Sequence, residues 1–253
     1  MMTTKRFPRL LALAAALFCL TACVGQKDDE ENIVDPGTNP GGTETGAPGI
    51  VLDFTATWCV NCPRMAQAIE EVVHERPGTV FPVSIHFHDD LAIPAGEALV
   101  TRYGIQSYPS LIVNLEASTL MTATSRELII ARLDATAEGR KAACTLEGQV
   151  SGSQLDVQVT AAEEGRYRLG VLLLEDGIVA PQTGGTDTYV HDNVLRGILS
   201  DGIDGDDLGS LNAGASAQKQ YPLPTDISEN RHLLVYTLDA DKGQVNAVIT
   251  LKL

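Results

Sequence analysis

Asp53-Phe54-Thr55-Ala56-Thr57-Trp58-Cys59-Val60-Asn61-Cys62-Pro63 is the stretch on which the reading of the fold turns. It reads as a strand running into a turn that opens a helix, with two cysteines at C-x-x-C spacing on the turn. Just before it, Ile50-Val51-Leu52 is short, apolar and partly β-branched, as a buried strand requires. Beyond it, Met65, Ala68, Ile69, Val72 and Val73 recur at three- and four-residue steps, which is one face of a helix. Cys59 therefore falls at the helix N-terminus and Cys62 in its first turn. Unpaired backbone N–H groups and the helix dipole favour a thiolate at such a position and lower its pKa. Cys59 is expected to be the exposed nucleophile and Cys62 its shielded partner.

The same stretch resembles the active-site segment of the thioredoxin superfamily, because Phe54, Ala56 and Trp58 also stand at that family's offsets from the cysteines. A second segment, Arg102-Tyr103-Gly104-Ile105-Gln106-Ser107-Tyr108-Pro109-Ser110-Leu111, resembles the family segment whose cis-proline packs beside the cysteine pair. Together they cover roughly residues 50–140 and imply a thioredoxin-like α/β domain. Two departures leave the redox direction open: no proline stands between the cysteines, where Val60-Asn61 is found, and the bulky Tyr108 precedes Pro109. The resemblance implies thiol–disulfide exchange on protein thiols and disulfides, with no cofactor and a redox partner of unknown identity. It makes Asp53, six residues before Cys59, the buried aspartate that accepts the Cys62 proton. It also makes Pro109 cis, leaves the Tyr108 backbone free for an extended substrate, and sets Trp58 at the rim of the cleft.

A length of 253 residues suits about two domains. The formal net charge of −15 would repel nucleic acid and anionic lipid, which argues against a nucleic-acid partner. Residues 1–22 read as a signal peptide: Lys5, Arg6 and Arg9, then an apolar run to Ala22 that is short for a membrane span. Leu20-Thr21-Ala22-Cys23 resembles the lipobox of bacterial lipoproteins, which implies cleavage before Cys23 and its lipidation. Several acyl chains anchor stably, so the membrane is met through the lipid alone. Cys59, Cys62 and Cys144 then remain, in an exported and oxidising setting where a vicinal pair cycles between dithiol and disulfide. A structural zinc site would need more ligands than the pair has nearby. Cys144 reads as a buried small residue at the domain junction, with a resolving role as the alternative.

Residues 23–48 lack apolar periodicity and read as a lipidated flexible tether; they stand where a complete thioredoxin would have its first strand and helix, so the domain at 49–142 is N-terminally trimmed. The charge run Gln26-Lys27-Asp28-Asp29-Glu30-Glu31 is a solvated spacer, or, by resemblance, an export signal that sends some Gram-negative lipoproteins to the cell surface. A second strand is expected near Val80–His88, with His86 and His88 sharing one face as a polar surface rather than a metal site. A helix follows at roughly Ala95–Tyr103, then a strand at Ser110–Leu115, a short strand at Leu120–Ala123, and a helix capped by Ser125 with Leu128, Ile129 and Leu133 as its apolar face.

From 143 to 253 the pattern becomes alternation: Leu155, Val157, Val159; Leu169, Val171, Leu173; Leu233, Val235, Thr237; Val245, Ala247, Ile249. Turn residues separate these runs, the signature of an all-β, immunoglobulin-like sandwich with no catalytic site of its own. A long insert from Pro181 to about Gly214 interrupts it. Glu175-Asp176-Gly177-Ile178-Val179 and Tyr189-Val190-His191-Asp192-Asn193-Val194-Leu195-Arg196 resemble the marker stretch of an outer-membrane lipoprotein family that couples a thioredoxin-like half to a β-sandwich. His191 and Arg196 are expected to pin the insert to the sandwich by hydrogen bonds. The acidic run at 200–207 fails the calcium-loop pattern, since Ile203 fills a ligand slot, and Gly184-Gly185 lacks a phosphate-loop context. Two functions follow: a cell-envelope thiol–disulfide oxidoreductase on the outer membrane, exposed at the cell surface or alternatively facing the periplasm, or a surface binding or adhesion lipoprotein that keeps the fold as a scaffold.

Overall fold

The computed structural model describes residues 47–140, 142–225 and 229–253. The signal peptide, Cys23 and nearly all of the tether lie outside the described residues. The first half contains β1 (Gly49–Thr55), α1 (Cys62–Glu75), β2 (Val80–His86), α2 (Pro94–Tyr103), β3 (Ser110–Val113), a 3₁₀ turn at Ala117–Thr119 and α3 (Arg126–Ala137). Local sequence sets the helix ends. Pro63 and Pro94 occupy first-turn positions, where no intrahelical N–H is lost. Gly104 closes α2 in the left-handed conformation, and the Ser125 hydroxyl accepts from the Leu128 N–H at the start of α3.

β1 is buried along its whole length between β2, to which it is parallel, and β3, to which it is antiparallel. Alternation along the strand divides its side chains. Ile50, Leu52 and Phe54 enter a core with Leu99, Val100 and Tyr103 of α2. Val51 enters a second core with Met65, Ile69 and Val72 of α1 and Ile129 and Leu133 of α3. Asp53 lies on this second, helix α1 side of the sheet, and the open end of β1 delivers the chain into the cysteine turn.

The second half contains β4 (Cys144–Ser151), β5 (Gln154–Ala161), β6 (Gly165–Glu175), β7 (Ile178–Ala180), β8 (Tyr189–His191), β9 (Val194–Ile198), β10 (Asp206–Leu211), β11 (Ser216–Pro222), β12 (Arg231–Asp239) and β13 (Gln244–Lys252). β11, β5 and β4 form a three-stranded antiparallel sheet, and β7 pairs with β8 as a hairpin. The remaining strands join the first half in one eight-stranded sheet of order β13-β12-β6-β9-β2-β1-β3, with β10 beside β6. β9 is the link. It pairs antiparallel with β6 and bridges in parallel to β2 at Ser84 and Val194, where Ser84 also donates from its N–H to the Asn193 carbonyl and from its hydroxyl to that of Asp192. The trimmed thioredoxin-like sheet thus has its outer edge covered by a strand from the other half.

The cores follow the same logic. Leu155, Val157 and Val159 of β5 pack against Leu169, Val171 and Leu173 of β6 and Leu233 and Val235 of β12. The intervening residues of β6 and β12, Leu172, Leu174, Leu234 and Tyr236, lie in the same core as Ile50, Leu52 and Phe54. The expected boundary at 142/143 falls between α3 and β4, yet the halves on either side share a sheet and a core.

Several local expectations are corrected. β2 ends at His86, because His88 adopts a left-handed backbone and turns the chain; His86 is buried, His88 is exposed, and they do not share a face. The strand expected at Leu120–Ala123 is reduced to one bridge between Met121 and Leu111. Leu128 is exposed, since α3 meets the sheet along the narrower face of Ile129 and Leu133. Val245 enters a different core from Ala247 and Ile249, because a bulge between Thr237 and Leu238 shifts the register and flips the alternation. Acids of the 200–207 run are bound to cations: Asp204 to Arg102, Asp206 to Lys219, Asp207 to Arg166.

Candidate redox site

Cys59 and Cys62 form a disulfide with Cα atoms 5.4 Å apart. Cys59 lies in the turn before α1, its N–H donating to the Ala56 carbonyl, and Cys62 is the first residue of the helix. The Tyr108–Pro109 bond is cis, and Tyr108 packs against the pair together with Ala56. Trp58 is 47% exposed. Its indole N–H donates to the Phe87 carbonyl at 3.1 Å, and its ring meets Tyr108 edge to face at 5.3 Å. Tyr108 in turn stacks on Phe87, so Trp58, Tyr108 and Phe87 form an aromatic wall at one side of the disulfide. Of the residues expected to have a role, Cys59, Cys62, Trp58, Tyr108 and Pro109 meet here, and Cys23 lies outside the described residues.

Asp53 is 3% exposed, and burial raises its pKa from 3.8 to about 7. Its Oδ1 has no hydrogen-bond partner. Asp53 and Cys62 line a common cavity of about 500 Å³ on the α1 side of the sheet, whose wall also includes His86 of β2 and Tyr189 and His191 of β8.

One expectation about the pair is overturned. Cys59 is only 4% exposed, scarcely more than Cys62 at 2%. Tyr108 packs against the pair, and residues more than a hundred positions away lie over the turn. The Gln182 side-chain amide donates to the carbonyls of Ala56 at 3.2 Å and Cys59 at 2.9 Å, and also to Thr183 O. The Thr183 N–H donates to the Thr57 carbonyl at 2.8 Å. Gly184, at φ +80°, runs so close to the turn that a Cβ there would sit 2.2 Å from the Val60 carbonyl oxygen. The strap Gln182-Thr183-Gly184 therefore lies across the cysteine turn. On the other side Asp89 accepts from the Thr57 N–H at 2.7 Å, the Leu91 N–H and His86 Nδ1. Burial alone would raise the Asp89 pKa, but these hydrogen bonds and the His86 charge hold it below the usual carboxylate range.

Gln182 and Asp89 were not legible as site residues, since neither belongs to a motif and both act by long-range or loop contacts. His191 is buried on β8 and faces the cavity, its ring 5.1 Å from that of His86, and Arg196 pairs with Glu175 and donates to the Leu91 carbonyl. Arg196 thus holds the insert to β6 as expected and also to the first half, whereas the His191 ring meets His86 of the first half. Cys144 is a buried free thiol beside Thr237 Oγ1, and burial pushes its pKa up. Among the described residues no cluster of three or more His, Cys, Asp or Glu side chains is arranged to hold a metal ion.

A model of the outer membrane protein Omp28 family matches residues 96–253, well over half of the chain. The chain belongs to the Omp28 family. A thioredoxin family model matches residues 44–135. The Omp28 match takes in Pro109, the strap and His191, whereas Asp53, Cys59 and Cys62 lie in the thioredoxin match alone. A thioredoxin of Haemophilus influenzae is 34% identical over 64 residues, which are 25% of this chain and 54% of that protein, so the chain spans about half the length of the curated relative it matches. HBP35 of Porphyromonas gingivalis superposes with a TM-score of 0.67 at 20% identity, over 84% of this Omp28-family chain and 77% of HBP35. A protein of Agrobacterium tumefaciens superposes with a TM-score of 0.56 at 17% identity, over 83% of this chain and 96% of that one. At these identities the two structures share the fold, a thioredoxin domain joined to a β-rich domain.

Proposed function

We propose that the protein is a cell-envelope thiol–disulfide oxidoreductase, anchored through lipid on Cys23 to the outer membrane and facing the cell surface. The observation that carries this reading is the disulfide itself, at the start of α1, with Tyr108 packed against it and the buried Asp53 lining the same cavity as Cys62. In the reducing direction, Cys59 attacks a substrate disulfide and one substrate sulfur leaves as a thiolate. Cys62, having lost its proton to Asp53, then attacks Cys59 Sγ; the Cys59–Cys62 bond forms and the second substrate thiolate departs. A carboxylate with a pKa near 7 suits that exchange near neutral pH. The aromatic wall of Trp58 and Tyr108 is the surface offered to an extended polypeptide. Family membership and the thioredoxin match support the location and the chemistry respectively.

The test is turnover of a peptide disulfide by the full chain with a small dithiol as electron donor. Turnover in the wild type and its loss in Cys59→Ser are expected; a wild type no faster than the dithiol alone would defeat the proposal.

The strap favours a second reading. A disulfide covered by Gln182–Gly184 is what a binding lipoprotein would show if its cysteines served only to hold the turn. On that reading reduction of the pair leaves binding intact and no exchange is catalysed.

A further inference from the structure

Beneath the disulfide, the cavity shared by Cys62 and Asp53 holds more polar chemistry than the exchange reaction as described uses. Three buried atoms have no hydrogen-bond partner and belong to side chains on its wall: Asp53 Oδ1, His86 Nε2 and His191 Nε2. Buried polar atoms are nearly always satisfied by protein or by ordered water, and a space of this size has room for several waters. The state of each imidazole is set by its other nitrogen. His86 Nδ1 lies 2.7 Å from Asp89 Oδ2, a carboxylate that can only accept, so Nδ1 carries the hydrogen. His191 Nε2 is likewise without a partner. Each ring therefore carries an unpartnered Nε2 on the wall of the chamber that holds Asp53.

We propose that His86 and His191 are positioning residues of the redox site: a pair of proton acceptors that drain Asp53 after it has taken the Cys62 proton, with His191 lent by the β-rich half. This rests on the oxidoreductase reading and extends it. Cys62 S–H gives its proton to the Asp53 carboxylate as its sulfur bonds to Cys59. Asp53 O–H then passes a proton to water in the chamber, and that water delivers one to an imidazole Nε2, from which it exits to solvent. The electron pair leaves with the substrate thiolate, and a small dithiol restores the Cys59–Cys62 pair.

The other titratable or charged groups around the set are Asp89 beside His86, Glu70 of α1, Tyr189 of β8 and Asp192 after it. Burial and the neighbouring His86 lower the pKa of His191, so a proton received there is held only in passing and is released onward to solvent.

The experiment is single-turnover oxidation of the reduced full chain by a peptide disulfide from about pH 5.5 to about pH 9, read by Trp58, the chain's one tryptophan. Peptide capture by Cys59 and peptide release by Cys62 are followed as separate phases. His191→Gln and His86→Gln are each expected to slow release by about tenfold near neutral pH, with capture unchanged and the pH midpoint of release displaced. His191→Gln leaves the Asp89 hydrogen bonds to the cysteine turn in place, so it reports even where His86→Gln fails to fold. Release with wild-type rate and pH profile in His191→Gln would overturn the inference and leave the oxidoreductase reading standing. Equal slowing of both phases, with a lowered unfolding midpoint and an unchanged profile, would show a structural role and overturn it too. A wild type that never captures peptide would remove both.

Discussion

Asp53 carries opposite consequences for stability and for chemistry. Its pKa is 3.8 in the ordinary state and about 7 when buried in the fold, so between those values the folded protein holds a proton that the unfolded chain has lost. Stability must then fall as pH rises from about 4 to about 7, and the group is a net cost above that. At about 1.4 kcal/mol for each pKa unit, the cost is on the order of 4 kcal/mol. Asp53→Asn is therefore expected to be more stable than wild type at pH 8, by about 2 to 4 kcal/mol, and to match it near pH 4. Urea unfolding of the oxidised protein at both pH values checks this; equal gains at both would place the effect in packing instead. The same variant should lose most of its Cys62 reactivity. At this scale the sequence was informative: Cys59, Cys62, Asp53, Trp58, Tyr108 and Pro109 are neighbours along two short segments, and local order brings them to one site. Burial of Cys59 was not legible, because a helix N-terminus specifies electrostatics and says nothing of what lies across it.

At the scale of elements, the strap and the strand β9 explain what the long insert does. The strap is held to the turn by side-chain amide bonds of a single glutamine, by Thr183, and by the missing side chain of Gly184. Gln182→Ala removes one of two donors from each of the Ala56 and Cys59 carbonyls, which keep their backbone donors, a loss of about 1 kcal/mol. In the reduced protein this variant should expose Cys59 and speed its alkylation by a small iodoacetamide several-fold, which mass spectrometry of the labelled thiol measures. An unchanged rate would mean that the strap already opens freely. Within the β-layers, Gly170 faces Tyr236 across the strand pair, and a Cβ at Gly170 would fall 2.1 Å from the tyrosine ring. Gly170→Ala is expected to destabilise by about 1 to 3 kcal/mol by overpacking, measured as a lowered urea midpoint with an unchanged slope. Alternation identified these strands well. It misassigned Val245, because a bulge inserts one residue and reverses every face beyond it, and no local composition announces that bulge.

For the whole molecule, the shared sheet means that the thioredoxin half is completed by the rest of the chain. β9 covers the edge of β2, Leu172, Leu174 and Tyr236 share its core, and Arg140 ties the halves together. The Arg140 guanidinium, almost wholly buried, donates to the Val245 carbonyl at 3.1 Å and to Glu116 at 2.8 Å. Residues 47–142 alone would expose an edge strand and an opened core. That fragment is expected to unfold without a cooperative transition, whereas the full chain unfolds as one unit; circular dichroism during heating distinguishes the outcomes. The presence of two halves was legible in the change from helical to alternating periodicity near residue 143. Their union was not, because strand partners so far apart in sequence leave no periodic trace.

If Cys59 attacks and Cys62 resolves, the mass of a trapped complex reveals the order. Full chain carrying Cys62→Ser, reduced and mixed with a peptide disulfide, is predicted to accumulate a mixed disulfide on Cys59, and the Cys59→Ser chain to accumulate none. Equal trapping by both variants, or trapping by neither, would contradict the account.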